Sequence, residues 1–452
     1  MFEAALFEDL PLILAIDCTV LVVCTVLLLR YGRLAHSHPA ISYLFFHAIT
    51  VTSRLLAILA GAETIFASWG GIFEPVTEAE IGRAVFLADV VLLIMTVAWV
   101  RASIVDAKKP HLDIAQPVTL SLRHIWRVVV IAFPIGVVAL ALIGSVPMIE
   151  KPEIDLGEWR ESSWLLITTT WAGLALLALI YWYGFRWWLI SPMAIYIFLM
   201  MIQGFHRFRA VIPLILLLQI YLDRKQKRWP PLIATIPIIA AILLFYPMKT
   251  IGRMAQEGAT IGEITQSSSE IISDVISGQN GDQMVLDQFA CSLTLIDRAD
   301  KFYYGTTYLA LVTSPIPRQW WPDKPGLADY MKEFSTPSRP MFEMGMVMTF
   351  IGEFYLNFGY LGILVLSYLT AYCLARAYFH SYRSNHFSVL RFTYLMIACN
   401  FIQVYRDGLM SLFVFTVINM MPLTVIVILH YIWPLRKKKA TAPFYSLPES
   451  SR

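Results

Sequence analysis

Residues 11–29 read PLILAIDCTVLVVCTVLLL, nineteen residues with a single charge, Asp17. A helix needs about 20 predominantly apolar residues to cross a hydrocarbon core of about 30 Å. Comparable runs recur at approximately 39–61, 84–104, 127–148, 163–185, 187–204, 210–222, 230–248, 358–379, 389–405 and 411–433. The run at 210–222 is short for a full span, and 344–352 is too short to cross. The pattern predicts an all-α polytopic membrane protein of about 11 transmembrane helices, within a range of 10–12. Composition agrees: 58% of residues are hydrophobic, 15% are charged and mean hydropathy is +0.63, against roughly 25% charged in soluble proteins.

Orientation follows from where Lys and Arg fall in the short connections. Twenty lie on one set of connections, among them Arg30, Arg101, Arg224, Arg383 and the cluster at 436–439, and six lie on the other set: Arg83, Lys151, Arg160, Arg207, Arg209 and Arg406. This places the N-terminus outside and the tail inside. The chain divides into a bundle of about eight spans at 1–248, a large outer loop at 249–343, about three further spans at 344–435 and a basic tail at 436–452. The first ten residues, MFEAALFEDL, hold no Lys or Arg, so no cleavable signal with a basic n-region is expected.

The large loop opens on polar strings, TQSSSE and SGQNGDQ. Residues 283–299 come next as an amphipathic helix, with Val285, Phe289, Leu293 and Ile296 on one stripe and Asp282 as its N-cap. Of the five cysteines, Cys18, Cys24, Cys373 and Cys399 lie in apolar runs and Cys291 lies in the loop without a partner, so no disulfide framework is expected. No nucleotide-binding glycine loop, HExxH, CxxC or Asp-x-Asp pair occurs. No metal and no cofactor are expected, and any site for an anionic ligand has to be built from cationic side chains.

Several constellations fit such a site. Asp17, Arg54 and Asp89 are charges inside the first three spans, where charge is costly and is normally paired; they read as an Arg54–Asp89 or Arg54–Asp17 bridge, or as a ligand contact. The hairpin GFHRFRAVI at 203–211 sets His206, Arg207 and Arg209 between two apolar runs, either as snorkelling side chains or as an anion site. In SPIPRQWWPDKPG at 314–326, four prolines forbid a helix, while Arg318 and Lys324 supply donors. Trp320 and Trp321, with Tyr355 further on, offer faces on which sugar rings stack or which anchor at the interface. Glu353, in FIGEFYLNFGYLG, is either a solvated carboxylate at a helix start or a base. In VYRDGLMS, Arg406 and Asp407 form a mutual pair or a second cationic turn.

These strings resemble the Wzy-type oligosaccharide repeat-unit polymerases, the O-antigen polymerase family. The resemblance rests on the layout of spans with one large late loop, on FHRFRAVIP, YYGTTYLALVTSPIPRQWWPDKP, IGEFYLNFGYLG and YRDG, and covers roughly 200–410. It implies a GT-C-like bundle in the bacterial inner membrane. That bundle is a glycosyltransferase of lipopolysaccharide or related polysaccharide biosynthesis, which joins repeat units carried on undecaprenyl pyrophosphate at the periplasmic face. Its implied partners are those lipid-linked oligosaccharides, membrane lipids and a chain-length regulator, with no nucleic acid. Pyrophosphate binding is implied for Arg209, Arg318 and Arg406, and less directly for Arg207, Arg253, Arg298 and Lys324. Glu353 is the first candidate base, followed by His206 and Asp407. An O-antigen ligase shares this layout and donor, and a flippase or polysaccharide channel is the reading from a different class.

The topology predicts that a cysteine replacing Glu270 is labelled by an impermeant thiol reagent added outside the cell, and that one replacing Gln226 is not. The reverse pattern would place every candidate residue on the wrong face.

Overall fold

The computed structural model describes residues 7–67, 71–108, 122–145, 156–202, 208–231, 247, 251, 254, 258–277, 284–313, 316, 320–321, 327–341, 346–383, 388–409 and 413–432. The elements are helices α1 (Leu10–Tyr31), α2 (Pro39–Leu59), α3 (Glu78–Ala107), α4 (Leu122–Ser145), α5 (Leu156–Tyr183), α6 (Trp187–Ile202) and α7 (Phe208–Arg224). They continue with α8 (Ile261–Ser277), α9 (Val285–Ala299), α10 (Thr306–Thr313), α11 (Leu327–Phe334), α12 (Phe350–Arg383), α13 (Val389–Asp407) and α14 (Met421–Ile432). No strand occurs among the described residues beyond one isolated bridge between Thr336 and Arg339.

Among the described residues, five helices are long and apolar enough to cross a membrane: α1, α2, α3, residues Ile125–Leu142 of α4, and α12. The expected runs at 163–185, 187–204, 210–222, 389–405 and 411–433 also carry helices, while 230–248 lies almost wholly outside the described residues. The outward faces are apolar. Val22, Val26 and Leu29 of α1, Val130 and Val138 of α4, and Leu361 of α12 are all more than half exposed, as in helices solvated by hydrocarbon rather than water.

Helix α3 is the axis of the first bundle. Two-thirds of its most apolar window is enclosed, against about a fifth of α1's, and it packs on α1, α2, α9 and α12. It starts at a capping box, in which Glu80 N donates to Thr77 Oγ1 and Glu80 Oε2 accepts from Thr77 N at 2.8 Å. Helices α4–α7 pack as a second group, and α13 joins the two through α2, α7 and α12.

Helix α9 is not the one-sided amphipathic helix expected. Besides Val285, Phe289, Leu293 and Ile296, its polar Asp287, Gln288 and Ser292 are buried, and Cys291 is fully enclosed. Its N-cap is Met284; Asp282 lies outside the described residues. A helix enclosed on all faces must satisfy its polar groups internally. Asp287 does so by gripping Arg54, with Nε–Oδ1 at 2.8 Å and Nη2–Oδ2 at 2.7 Å, while Ile65 N donates to Oδ2 at 2.9 Å and Arg54 Nη2 also reaches Glu63 O at 2.7 Å.

Arg54 therefore forms the fork with Asp287, not with Asp89 or Asp17. The reason is local. Residues Ala48–Thr52 of α2 are a π segment between Pro39–His47 and Ser53–Leu59. In an unbroken α-helix residues seven apart share a face, so His47 and Arg54 would point the same way; one extra residue per turn rotates the downstream half of the helix by about 100°. His47 accordingly faces α1 and α3, and Arg54 faces α9.

Truncating one partner of a buried charge pair strands the other and costs about 3–5 kcal/mol, whereas replacing both by apolar residues of similar volume costs far less. Arg54→Ala and Asp287→Ala are each expected to lower the melting temperature of the detergent-solubilised protein and expose α9 to protease. The double change Arg54→Met with Asp287→Leu is expected to recover most of the loss. Single truncations without effect would mean that this pair does not hold α9.

Candidate functional site

Four of the strings singled out in the sequence meet at one end of the bundle. Helix α12 runs from Phe350 to Arg383 as two helical segments that meet at Gly359 (φ 59°, ψ −147°), a conformation open to glycine and costly for other residues. Glu353, expected just before a span, therefore lies inside the first half of α12. The carbonyls left open by the break are capped by the YYGTT turn: Tyr303 N donates to Leu356 O at 3.1 Å and Tyr304 N to Asn357 O at 2.9 Å. Asn357 Oδ1 accepts from Gly305 N at 3.0 Å and from Thr307 Oγ1 at 2.9 Å, and its Nδ2 donates to Glu353 O at 2.8 Å.

The YRDG turn closes on the same half-helix. Gly408, with φ 86°, ends α13, and the next residue, Leu409, donates its N–H to Glu353 Oε2 at 2.6 Å. Asp407 accepts from Gln403 Nε2 at 3.0 Å, and its other oxygen is 3.6 Å from Arg406 Nε. The Arg406 guanidinium lies over the ring of Phe208 at 5.8 Å. The neighbouring Arg209 is buried, 3.5 Å from Thr169 Oγ1, and lines a cavity of about 40 Å³ with Tyr196, Asn400 and Asn419.

Glu353 has no exposed surface, so a bulky hydroxyl substrate does not reach it in this arrangement; its oxygen sets the YRDG turn. Asp407 and Arg406 keep about a fifth to a quarter of their side chains exposed. Tyr355, taken as a sugar-stacking ring, is enclosed between Phe302 and Tyr360 and donates to Asp297 Oδ1 at 2.5 Å. Trp320 is the opposite, 81% exposed, with Trp321 at 41%, so both rings are accessible. His206, Arg207, Arg253, Arg318 and Lys324 lie outside the described residues.

The other expected phosphate ligand, Arg298, is held by a carboxylate: it forks onto Glu74 at 2.9 and 2.5 Å. That guanidinium pulls the Glu74 carboxyl down to about 2, so the clamp is complete above the ordinary carboxyl range and is lost as pH falls toward that value. Two further arginines, not singled out in the sequence, do similar work. Arg339, fully buried, forks onto Glu80 at 2.8 and 3.0 Å and reaches Pro75 O at 2.9 Å. Arg83, an ordinary loop arginine by position, bonds Asp297 at 2.5 Å, Tyr355 at 3.1 Å and Tyr360 at 2.7 Å. Arg54, Arg83, Arg298 and Arg339 thus moor α9 and the segment around Arg339 to α2, α3 and the turn between them. Arg209 and Arg406 line the cavity and the YRDG turn.

Behind the ring of Tyr43, which packs on both His47 and Tyr405, Asp17 of α1, His47 of α2 and Asp89 of α3 form a buried triad, with His47 Nε2 at 2.8 Å from Asp17 Oδ1 and 3.4 Å from Asp89 Oδ1. Comparison with protein-family models, with curated proteins and with solved structures finds no match for this chain.

Gly408 is the pivot of the site. A Cβ built there would come within 2.3 Å of Glu353 Oε2, at a backbone angle that already disfavours a side chain. Gly408→Ala is expected to cost about 1–3 kcal/mol in backbone strain alone and to displace Glu353. Glu353→Gln retains an acceptor for Leu409 N and is expected to fold normally. A Gly408→Ala protein with unchanged melting temperature would show that the turn is not held this tightly.

Proposed function

We propose that this chain is a Wzy-type polymerase, a GT-C-like glycosyltransferase of the bacterial inner membrane. In this reading it has about eleven spans, its N-terminus is periplasmic and its tail is cytoplasmic. It transfers a glycan from undecaprenyl pyrophosphate to a hydroxyl of an incoming lipid-linked repeat unit. The observation that carries the proposal is the meeting of Phe208 with the YRDG turn and of the YYGTT, IGEFYLN and YRDG strings with one another at one end of the bundle. A site formed by strings far apart in sequence is a reason for those strings to exist beyond crossing a membrane.

The acceptor hydroxyl attacks the anomeric carbon of the donor glycan as the bond to the pyrophosphate oxygen breaks. A base takes the hydroxyl proton, and the charge that develops on the leaving pyrophosphate is met by guanidinium groups already in place. Arg406 and Arg209, with Arg318 of the Pro/Trp turn, take that second role in this proposal. The cavity at Arg209 is far smaller than the ligand sites of about 300–1,000 Å³ that enclose small molecules, so the headgroup is held at its rim. Of the three candidate bases, Asp407 is partly exposed and next to Arg406, which favours it over the enclosed Glu353.

The test is deletion in the native host, complementation with variants and a gel of the surface glycan. Arg209→Ala, Arg318→Ala and Arg406→Ala are expected to leave single-repeat product. The Arg→Lys forms, which keep the charge but lose the planar fork, are expected to restore polymer only in part. Each lost charge-assisted bond is worth roughly 1.5–3 kcal/mol, or about 10- to 100-fold in rate. Lys301→Ala, which breaks an exposed pair with Glu333, serves as the cationic control and is expected to be silent. Accumulation of lipid-linked polymer on deletion would make the protein a ligase instead. Normal-length polymer from all three alanine variants would remove the chemistry from this face.

A further inference from the structure

The Asp17–His47–Asp89 triad is unlike the other charged clusters of the molecule. The mooring pairs each bring a carboxylate to a guanidinium and balance. The triad brings two carboxylates to one imidazole, on three helices that each meet the length and apolarity of a membrane span. Asp17 and His47 have no exposed surface and Asp89 has 3%. A neutral imidazole leaves two negative charges in that interior and a protonated one still leaves one. An uncompensated buried charge costs several kcal/mol. Arg54, seven residues from His47, forks onto Asp287 instead, and Arg83, six residues from Asp89, bonds Asp297.

The unsatisfied atoms make the same point. Neither oxygen of Asp89 accepts a hydrogen bond, and neither does Asp17 Oδ2. The hydroxyl of Thr52, itself buried, lies beside Asp17. Buried polar atoms are normally paired, so carboxylate oxygens without donors beside one imidazole nitrogen describe a place for a cation. One ligand atom from each of the three residues lies within 4.8 Å of the others. The 3.4 Å separation of His47 Nε2 from Asp89 Oδ1 is that of two tetrahedral ligands about 2.0–2.1 Å from one ion, while the 2.8 Å contact with Asp17 Oδ1 is a direct hydrogen bond whose place a bound ion would take.

We propose that Asp17, His47 and Asp89 bind one first-row divalent cation, of the zinc or manganese kind, through His47 Nε2 and one oxygen of each carboxylate, with the Thr52 hydroxyl at hand as a further oxygen. Mixed imidazole and carboxylate ligands suit these ions, and a divalent charge cancels both carboxylates. The ion ties α1, α2 and α3 together where the π segment turns His47 toward its partners. It is enclosed among helices and has no exposed ligand, so its role is structural. His47 Nδ1 makes no hydrogen bond; the site therefore lacks the outer partner that usually strengthens a histidine ligand, and micromolar metal is the right range to probe.

The experiment uses the full chain purified in detergent, its metal content measured as isolated and after dialysis against chelator followed by titration with Zn²⁺ or Mn²⁺. Expected are about one ion per chain, a rise in melting temperature on refilling, and binding weakened about tenfold or more by His47→Ala and by Asp89→Asn. Should those variants fail to fold, X-ray absorption of the metal in the wild-type protein decides, with one imidazole and otherwise oxygen neighbours expected. A wild-type chain that carries no ion and shows no saturable binding overturns the proposal and leaves a proton shared among the three groups as the means of balance. Binding unchanged in both variants, or an absorption spectrum showing sulfur or several imidazoles, overturns it equally.

Discussion

The fork between Arg54 and Asp287 is the constraint on which the arrangement of the loop region depends. Two full charges leave water only when their geometry repays the desolvation, and here every group around them contributes: two guanidinium nitrogens to one carboxylate, a backbone N–H to the same carboxylate and a backbone carbonyl to the guanidinium. That fixes α9 against α2 and, through Glu63 and Ile65, fixes the turn after α2. Once α9 is fixed, Asp297 and Arg298 near its far end meet Arg83 and Glu74, and α9 becomes part of the bundle. A connection of this length with no regular packing would cost ordering entropy with nothing to offset it.

The same packing separates two kinds of arginine that look alike in sequence. Arg298 and Arg209 both lie near the ends of apolar stretches. Arg298 is half-exposed but occupied by Glu74, while Arg209 is buried with hydroxyl and ring neighbours around a small cavity. Local charge count does not distinguish them; the carboxylate opposite Arg298 comes from more than two hundred residues away. Glu353 illustrates the converse. A carboxylate beside aromatic residues reads as a base, yet its place is set by a backbone N–H donated from the neighbouring turn.

The coarse fold was legible because the physics behind it is local. Apolar length predicts helices, and α1 through α7 begin and end within a few residues of the runs that predict them, save that α3 and α5 start about a turn and a half or more upstream. The cap of α3 and that of α8, where Thr260 and Glu263 exchange bonds, obey a four-residue rule, and TIGE at 260–263 offered the signal that the serine-rich string after it obscured. The illegible parts depend on three dimensions. The π segment leaves no mark in composition, so the direction of Arg54 could not be read. The buried polar face of α9 has no helical period that marks it as core. Asp17, His47 and Asp89 are separated by thirty and forty-two residues on three different helices, and no spacing rule for metal ligands spans such a gap.

The break at Gly359 also bears on how thick a bilayer the protein suits. A straight helix of 34 residues would be about 51 Å long at 1.5 Å per residue, well beyond a hydrocarbon core of about 30 Å. Cutting it at Gly359 leaves residues 360–383, about 36 Å, which fits that core with modest tilt. The nine residues before the break take their direction from the YYGTT and YRDG turns, not from the lipid. The helix can thus tilt with the thickness of its membrane below Gly359 while the residues above it keep their register, so hydrophobic mismatch is absorbed at a single glycine.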